Sequence, residues 1–199
     1  MRLRSSLPLG LFALLLIVPA AYASMGGGSG ASGSSPPPQP STTDAKPEPG
    51  PREQAEGYYA QAYEEIARAK KDLADGKGKN AQKSFKRALE YGEKATDLDE
   101  KYFEAWNLVG YAARKTGDYD KAFASYDKCL EIKTDYAPAR EYLGEAWLEK
   151  GDPVKAREQL TLLEKFGAND DAATLRTAIE TYEKAHPAAV KDTTTAATH

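Results

Sequence analysis

Cysteine and histidine are nearly absent: the 199-residue chain has one cysteine and two histidines. A single cysteine cannot close an internal disulfide, and His186 and His199 stand at and beyond the end of the last helix-like segment. A Cys/His zinc site, a cysteine–histidine nucleophile pair and a Ser–His–Asp triad all need histidine or paired cysteine inside the fold. None is expected here, and neither is a bound metal or cofactor. Alternating β-branched runs are missing as well, which speaks against strands. Proline is missing from residues 54–185 except at Pro138 and Pro153, both where a helix would begin. Surplus positive charge is lacking: 27 basic against 30 acidic residues give a net charge of −3, which does not suit a nucleic-acid partner. The pairs Asp97/Asp99 and Asp118/Asp120 do not continue into the loop with a central glycine and terminal glutamate that calcium needs. They are read as caps and turns.

What is present begins with a targeting segment. Arg2 and Arg4 precede the apolar run Leu9–Val18, Pro19 breaks it, and Ala21-Tyr22-Ala23 places small residues where a signal peptidase reads. Residues 1–23 are therefore expected to be a cleavable signal peptide. The rival, an uncleaved anchor, would need ~20 apolar residues, so no stable membrane span is expected after cleavage. No cysteine follows the small residues, and no arginine pair marks a twin-arginine signal, so the general secretory route is favoured. Removing Arg2 and Arg4 takes the charge to −5, with 25 basic against 30 acidic residues. The mature chain is expected in the periplasm if its source is a Gram-negative bacterium, and is otherwise expected to be secreted.

Residues 24–53 read as a disordered Gly/Ser/Pro-rich linker, and seven of the twelve prolines fall between Pro36 and Pro51. Within it, Pro37-Pro38-Gln39-Pro40 has the form of a PxxP docking motif, against the plainer reading of a spacer. Residues 186–199 are polar, rich in threonine and alanine, and read as a disordered tail. Residues 54–185 remain as the fold.

That stretch is helical and repeats itself. At an offset of 34 residues Tyr102 matches Tyr136, Ala105 Ala139, Gly110 Gly144 and Ala112 Ala146; Gly117, Asp118, Lys121 and Ala122 then match Gly151, Asp152, Lys155 and Ala156. Gly110 and Gly144, with Ala122 and Ala156, are small where antiparallel helices must approach. Gly117-Asp118 and Gly151-Asp152 make the turns, with glycine ending one helix left-handed and aspartate capping the next. Trp106, Val109, Tyr126 and Leu130 supply the apolar faces of one unit, and Leu143, Trp147, Leu160 and Leu163 those of the other.

At these residues the chain resembles the tetratricopeptide repeats over Phe103–Gly167. It departs from the family pattern at Thr134, Cys129, Arg140 and Pro153. The resemblance implies an all-α, right-handed solenoid of antiparallel helix hairpins. Upstream stripes (Tyr59, Ala62, Tyr63, Ile66, Leu73; then Ala81, Phe85, Ala88, Ala95, Leu98) predict a first hairpin of longer helices, Gln54–Ala74 and Asn80–Asp97. Its glycine turn lies 41 residues before Gly117, and the seven extra residues are about two helical turns, which keep the face. Downstream, Asn169 or Asp170 is expected to cap a last helix carrying Leu175, Ile179 and Tyr182. The division expected is 54–102 for the extended hairpin, 103–136 and 137–168 for two repeats, and 169–185 for a capping helix.

The same resemblance implies a concave groove, lined by the first helix of each hairpin, that binds a peptide or protein segment. Matched by position, its residues would be Asn107, Tyr111, Arg114 and Lys115, then Glu141, Glu145, Leu148 and Glu149. Only Asn107 agrees with the family's carboxylate clamp, so chaperone-tail binding is not implied. Glu141, Glu145 and Glu149 share one helix face. They read either as an electronegative wall for a basic segment or as an ordinary solvated face. Cys129 is expected to be an inert core thiol, and the tryptophans and tyrosines core residues rather than a ligand cage. The function expected is a non-catalytic, exported interaction scaffold. Two alternatives stay open: a self-assembling repeat protein, and a helical cell-wall-acting enzyme of the lytic transglycosylase kind, whose motifs the chain lacks.

Overall fold

The computed structural model describes residues 48–187. The signal-like segment, the PxxP motif, most of the linker and the end of the tail lie outside the described residues. Among the described residues there are seven helices and no strand: α1 Pro51–Ala74, α2 Gly78–Leu98, α3 Phe103–Thr116, α4 Tyr119–Ile132, α5 Ala137–Glu149, α6 Pro153–Lys165 and α7 Asn169–Ala185. Helices α1/α2, α3/α4 and α5/α6 pair as hairpins, each packs on the next, and α7 lies against both α5 and α6. Helix α3 also touches both α1 and α5, so one face of the stack is built from first helices.

The turns follow their residue chemistry. Gly117 and Gly151 take φ of 86° and 83°, a region that costs glycine nothing and other residues a Cβ clash. Asp118 and Asp152 then accept the backbone N–H of Lys121 and Lys155 at 3.2 and 3.0 Å, which stabilises α4 and α6 by about 1 kcal/mol each. The expected cap on α7 is absent: Asn169 is the first helical residue, and Ala168, which cannot accept a hydrogen bond through its side chain, holds the cap position. Helix α1 begins at Pro51, inside the predicted linker, because proline suits a first helical position and Arg52 is anchored. Its guanidinium donates to Asp99 at 2.7 Å and lies 3.7 Å from the centre of the Tyr102 ring. That contact ties the start of α1 to the α2–α3 turn.

The glycines at the helix crossings work differently in the two repeats. A Cβ on Gly110 would lie 2.6 Å from Cε1 of Tyr126 on the partner helix α4, a close approach of the kind expected. A Cβ on Gly144 would instead meet Leu175 of α7 at 2.6 Å. The capping helix, rather than the partner helix α6, thus covers this glycine. Ala113, Ala122, Tyr126, Cys129, Ala139, Leu143 and Ala146 form one buried cluster, and Leu148, Ala156, Leu163, Ala172, Leu175 and Ile179 another. Each large side chain buried there contributes about 1.5–3 kcal/mol. Arg140, at an aromatic position of the family pattern, is buried too. It donates to the Thr134 carbonyl at 2.6 and 3.0 Å and to Gln159 at 3.0 Å, so its polar fork is satisfied. Cys129 is fully buried, and burial, then the charge of Glu104, pushes its thiol up to about 12. Thiolate chemistry is thereby disfavoured.

Candidate functional site

The face shared by α1, α3 and α5 holds a cavity of about 220 Å³. Helix α1 lines it with Tyr59, Tyr63, Ile66 and Lys70, and α3 with Glu104, Asn107, Leu108 and Tyr111. Tyr136, Pro138 and Tyr142 close it at the entrance to α5. The tyrosine rings brace one another: Tyr59 lies 6.4 Å from Tyr63, and Tyr111 lies 5.1 Å from Tyr142, centre to centre. Tyr111 is also held edge-on by Phe85, and Tyr136 by Phe103. Such pairs are worth about 0.5–1.5 kcal/mol each and fix the rings in place. Among the described residues none of these five tyrosine hydroxyls bonds to a protein group. Tyr63 keeps 63% of its surface exposed, because α1 ends the described stack and nothing covers its outer side.

The expected groove residues divide between two places. Asn107 and Tyr111 line the tyrosine cavity. Glu145, Leu148 and Glu149 border a second trough, between α5 and α7, together with Thr174, Thr177, Thr181 and Tyr182. Leu148 is no open groove residue: it is buried among Ala156, Leu163 and the α7 core residues. Arg114 is not available to a ligand either. Its side chain is 2% exposed and spans from α3 to Glu145 at 2.6 Å and Glu149 at 3.0 Å on α5. The Tyr119 hydroxyl donates to the other oxygen of Glu149 at 3.1 Å. Lys115 is half-buried beside Arg114, and its ammonium is lowered by burial first and then by that like charge.

This arrangement revises the electronegative wall. Two of the three glutamates on the α5 face are matched by one buried guanidinium. The third, Glu141, points to α7, where burial first, then the charges of Glu145 and Asp171, raise its carboxyl to about 7. Near neutrality that carboxyl is partly protonated, so the wall keeps the charge of one carboxylate and part of another rather than of three.

A further uncompensated negative charge lies elsewhere. Glu104 stands in the first turn of α3 and forms no ion pair among the described residues; its Oε2 is buried without a hydrogen-bond partner. Asn107, one turn further on, has a buried and equally unpartnered Oδ1. Sequence matching named Asn107 and passed over Glu104. It also assigned the tyrosines to the core, whereas Tyr59, Tyr63, Tyr111, Tyr136 and Tyr142 face the cavity. Trp106 and Trp147 are packed as expected: the Trp106 indole N–H donates to the Glu100 carbonyl at 2.9 Å, and Trp147 stacks on Phe123 at 4.0 Å. The spacing of Tyr59, Tyr63 and Ile66 was legible as a helical stripe. That half of the stripe stays open could not be read without knowing that α1 lies at the end of the stack.

No curated protein matches the chain. Residues 113–179 match the family model for the tetratricopeptide repeat. The matched stretch runs from the end of α3 through α4, α5 and α6 into α7, across the hairpins in which the 34-residue period lies. Over those residues, and in its stacked helix hairpins, the chain is similar to tetratricopeptide repeat proteins, whose domains generally serve as non-enzymatic modules that bind protein partners.

Proposed function

We propose that this chain is an exported, non-catalytic adaptor that holds an extended segment of another protein against α1, α3 and α5. The tyrosine-lined cavity carries this reading. Five braced aromatic rings, one of them largely exposed, offer a rigid amphipathic surface that loses little side-chain freedom on binding. Their hydroxyls remain free to bond the backbone of a bound segment. Export is supported by the charged, apolar and small-residue pattern of residues 1–23. No described helix is long and apolar enough to cross a membrane.

Site-specific photo-crosslinking tests the reading. A photoreactive residue at Tyr63 in the groove should join the chain to one discrete partner in its native compartment. The same residue at Val154, on α6 and 43% exposed, should not. Equal products from both positions would overturn the groove reading, and a homodimer formed only from position 63 would favour self-assembly instead. N-terminal sequencing of the mature chain should begin at Ser24; an intact Met1 would remove the case for export.

A further inference from the structure

The tyrosine cavity is electrostatically polar along its length. Glu104 and Asn107 lie beside Tyr59 and Tyr136 at one end, whereas Lys70 and Tyr111 mark the other. Glu104 and Tyr111 are seven residues apart on α3, or about 10 Å along a helix that rises 1.5 Å per residue. At the Tyr111 end, cations of the protein already occupy the aromatic faces. The Lys70 ammonium lies 5.3 Å from the centre of the Tyr111 ring, and Arg114 and Lys115 each lie 5.6 Å from it. Among the described residues no cation of the protein is placed over Tyr59, Tyr63 or Tyr136. There a carboxylate oxygen and an amide oxygen, both buried and both acceptors, lack donors. Asn107 is itself only 9% exposed. Buried acceptors are almost always paired in folded proteins, because leaving them unpaired is costly. Their complement is a group with several N–H donors, positive charge and a flat face for tyrosine rings.

We propose that the Glu104 end of this cavity is a receptor for an arginine side chain of the partner segment, its guanidinium stacked among Tyr59, Tyr63 and Tyr136 and donating to Glu104 and Asn107. The inference rests on the groove reading above and names the chemistry the groove selects. A guanidinium supplies what the site lacks: five N–H donors in a rigid fork, weak hydration and a planar cation that stacks on aromatic rings. Lys70 at the far end gives the site direction, since it disfavours a second cation about 10 Å further along the segment.

The test uses the mature chain with a capped pentapeptide of alanine and glycine around a central arginine. Identical peptides carrying citrulline or lysine serve as comparisons, and binding is followed by NMR titration. The arginine peptide should shift the Asn107 side-chain amide and bind at least about tenfold more tightly than the citrulline peptide. Glu104→Gln, nearly the same shape, should lose about tenfold for arginine and nothing for citrulline, with an unchanged circular dichroism spectrum. Equal binding of the arginine and citrulline peptides to the parent protein would overturn the proposal without any variant. Equal or tighter binding of the lysine peptide would overturn the assignment to guanidinium. If crosslinking at Tyr63 still yields one partner while arginine shows no preference, the arginine site fails and the groove reading stands. If neither is seen, both fail.

Discussion

Replacing Arg114 with methionine probes the contact that joins the two repeats. The guanidinium is almost fully enclosed and holds Glu145 at 2.6 Å and Glu149 at 3.0 Å. At an effective dielectric near 20 each pair is worth about 6 kcal/mol of gross attraction, most of it offset by stripping water from the cation. Methionine keeps much of the apolar stem, so the change removes charge more than packing. Breaking one side of a buried pair costs about 3–5 kcal/mol when the other side stays dry. Here Glu145 and Glu149 retain 28% and 36% exposure and can rehydrate, which reduces the expected loss for Arg114→Met to about 2–3 kcal/mol. The remaining penalty is then the repulsion and partial burial of two carboxylates one turn apart. The triple variant Arg114→Met with Glu145→Gln and Glu149→Gln should therefore recover about 1 kcal/mol. Urea unfolding at neutral pH measures all three proteins, with the slope of the transition confirming an unchanged fold. A loss below about 0.5 kcal/mol for Arg114→Met, the range of an exposed surface pair, would refute the reasoning. So would a triple variant no more stable than the single one.

Gly110→Ala would press its Cβ to 2.6 Å from the fully buried Tyr126 ring. It should destabilise by about 1–3 kcal/mol in thermal unfolding despite the better helix propensity of alanine. Glu141 titrates near 7 in the fold but near 4.3 when unfolded. Since the folded value is the raised one, stability should fall as pH rises from about 4.5 to 7. Glu141→Gln should remove that slope and gain about 1 kcal/mol above neutrality, the shift being discounted for partial exposure; an unchanged slope in denaturant unfolding across this range would contradict it. Cys129 should resist iodoacetamide at pH 8 in the native protein and react only as unfolding exposes it, which mass spectrometry of the alkylated chain will show.

The repeat lay open in the sequence because its determinants are local. Gly117-Asp118 and Gly151-Asp152 carry their turn geometry and capping oxygen within a few residues, and the 34-residue period makes them visible twice. Small residues at positions 110 and 144 announced close approach, but not to which helix. Gly144 meets α7 because Leu175, a side chain on another element, packs over it. The start of α1 was hidden for a similar reason, as Arg52 finds Asp99 across 47 positions.

The sequence by itself thus determined the helices, their pairing into hairpins and the repeat, since these follow from periodicity, glycine conformation and caps. Only the tertiary structure decided which charges are spent and which remain. Arg114 and Glu149 are 35 residues apart, and their pairing offsets part of the charge on a row of glutamates that looks strongly acidic in one dimension. Glu104, a first-turn acid like others in the sequence, becomes a carboxylate with one oxygen enclosed and without a donor. Charge on a solenoid face depends on distances between neighbouring repeats, and those distances are set by packing rather than by spacing along the chain.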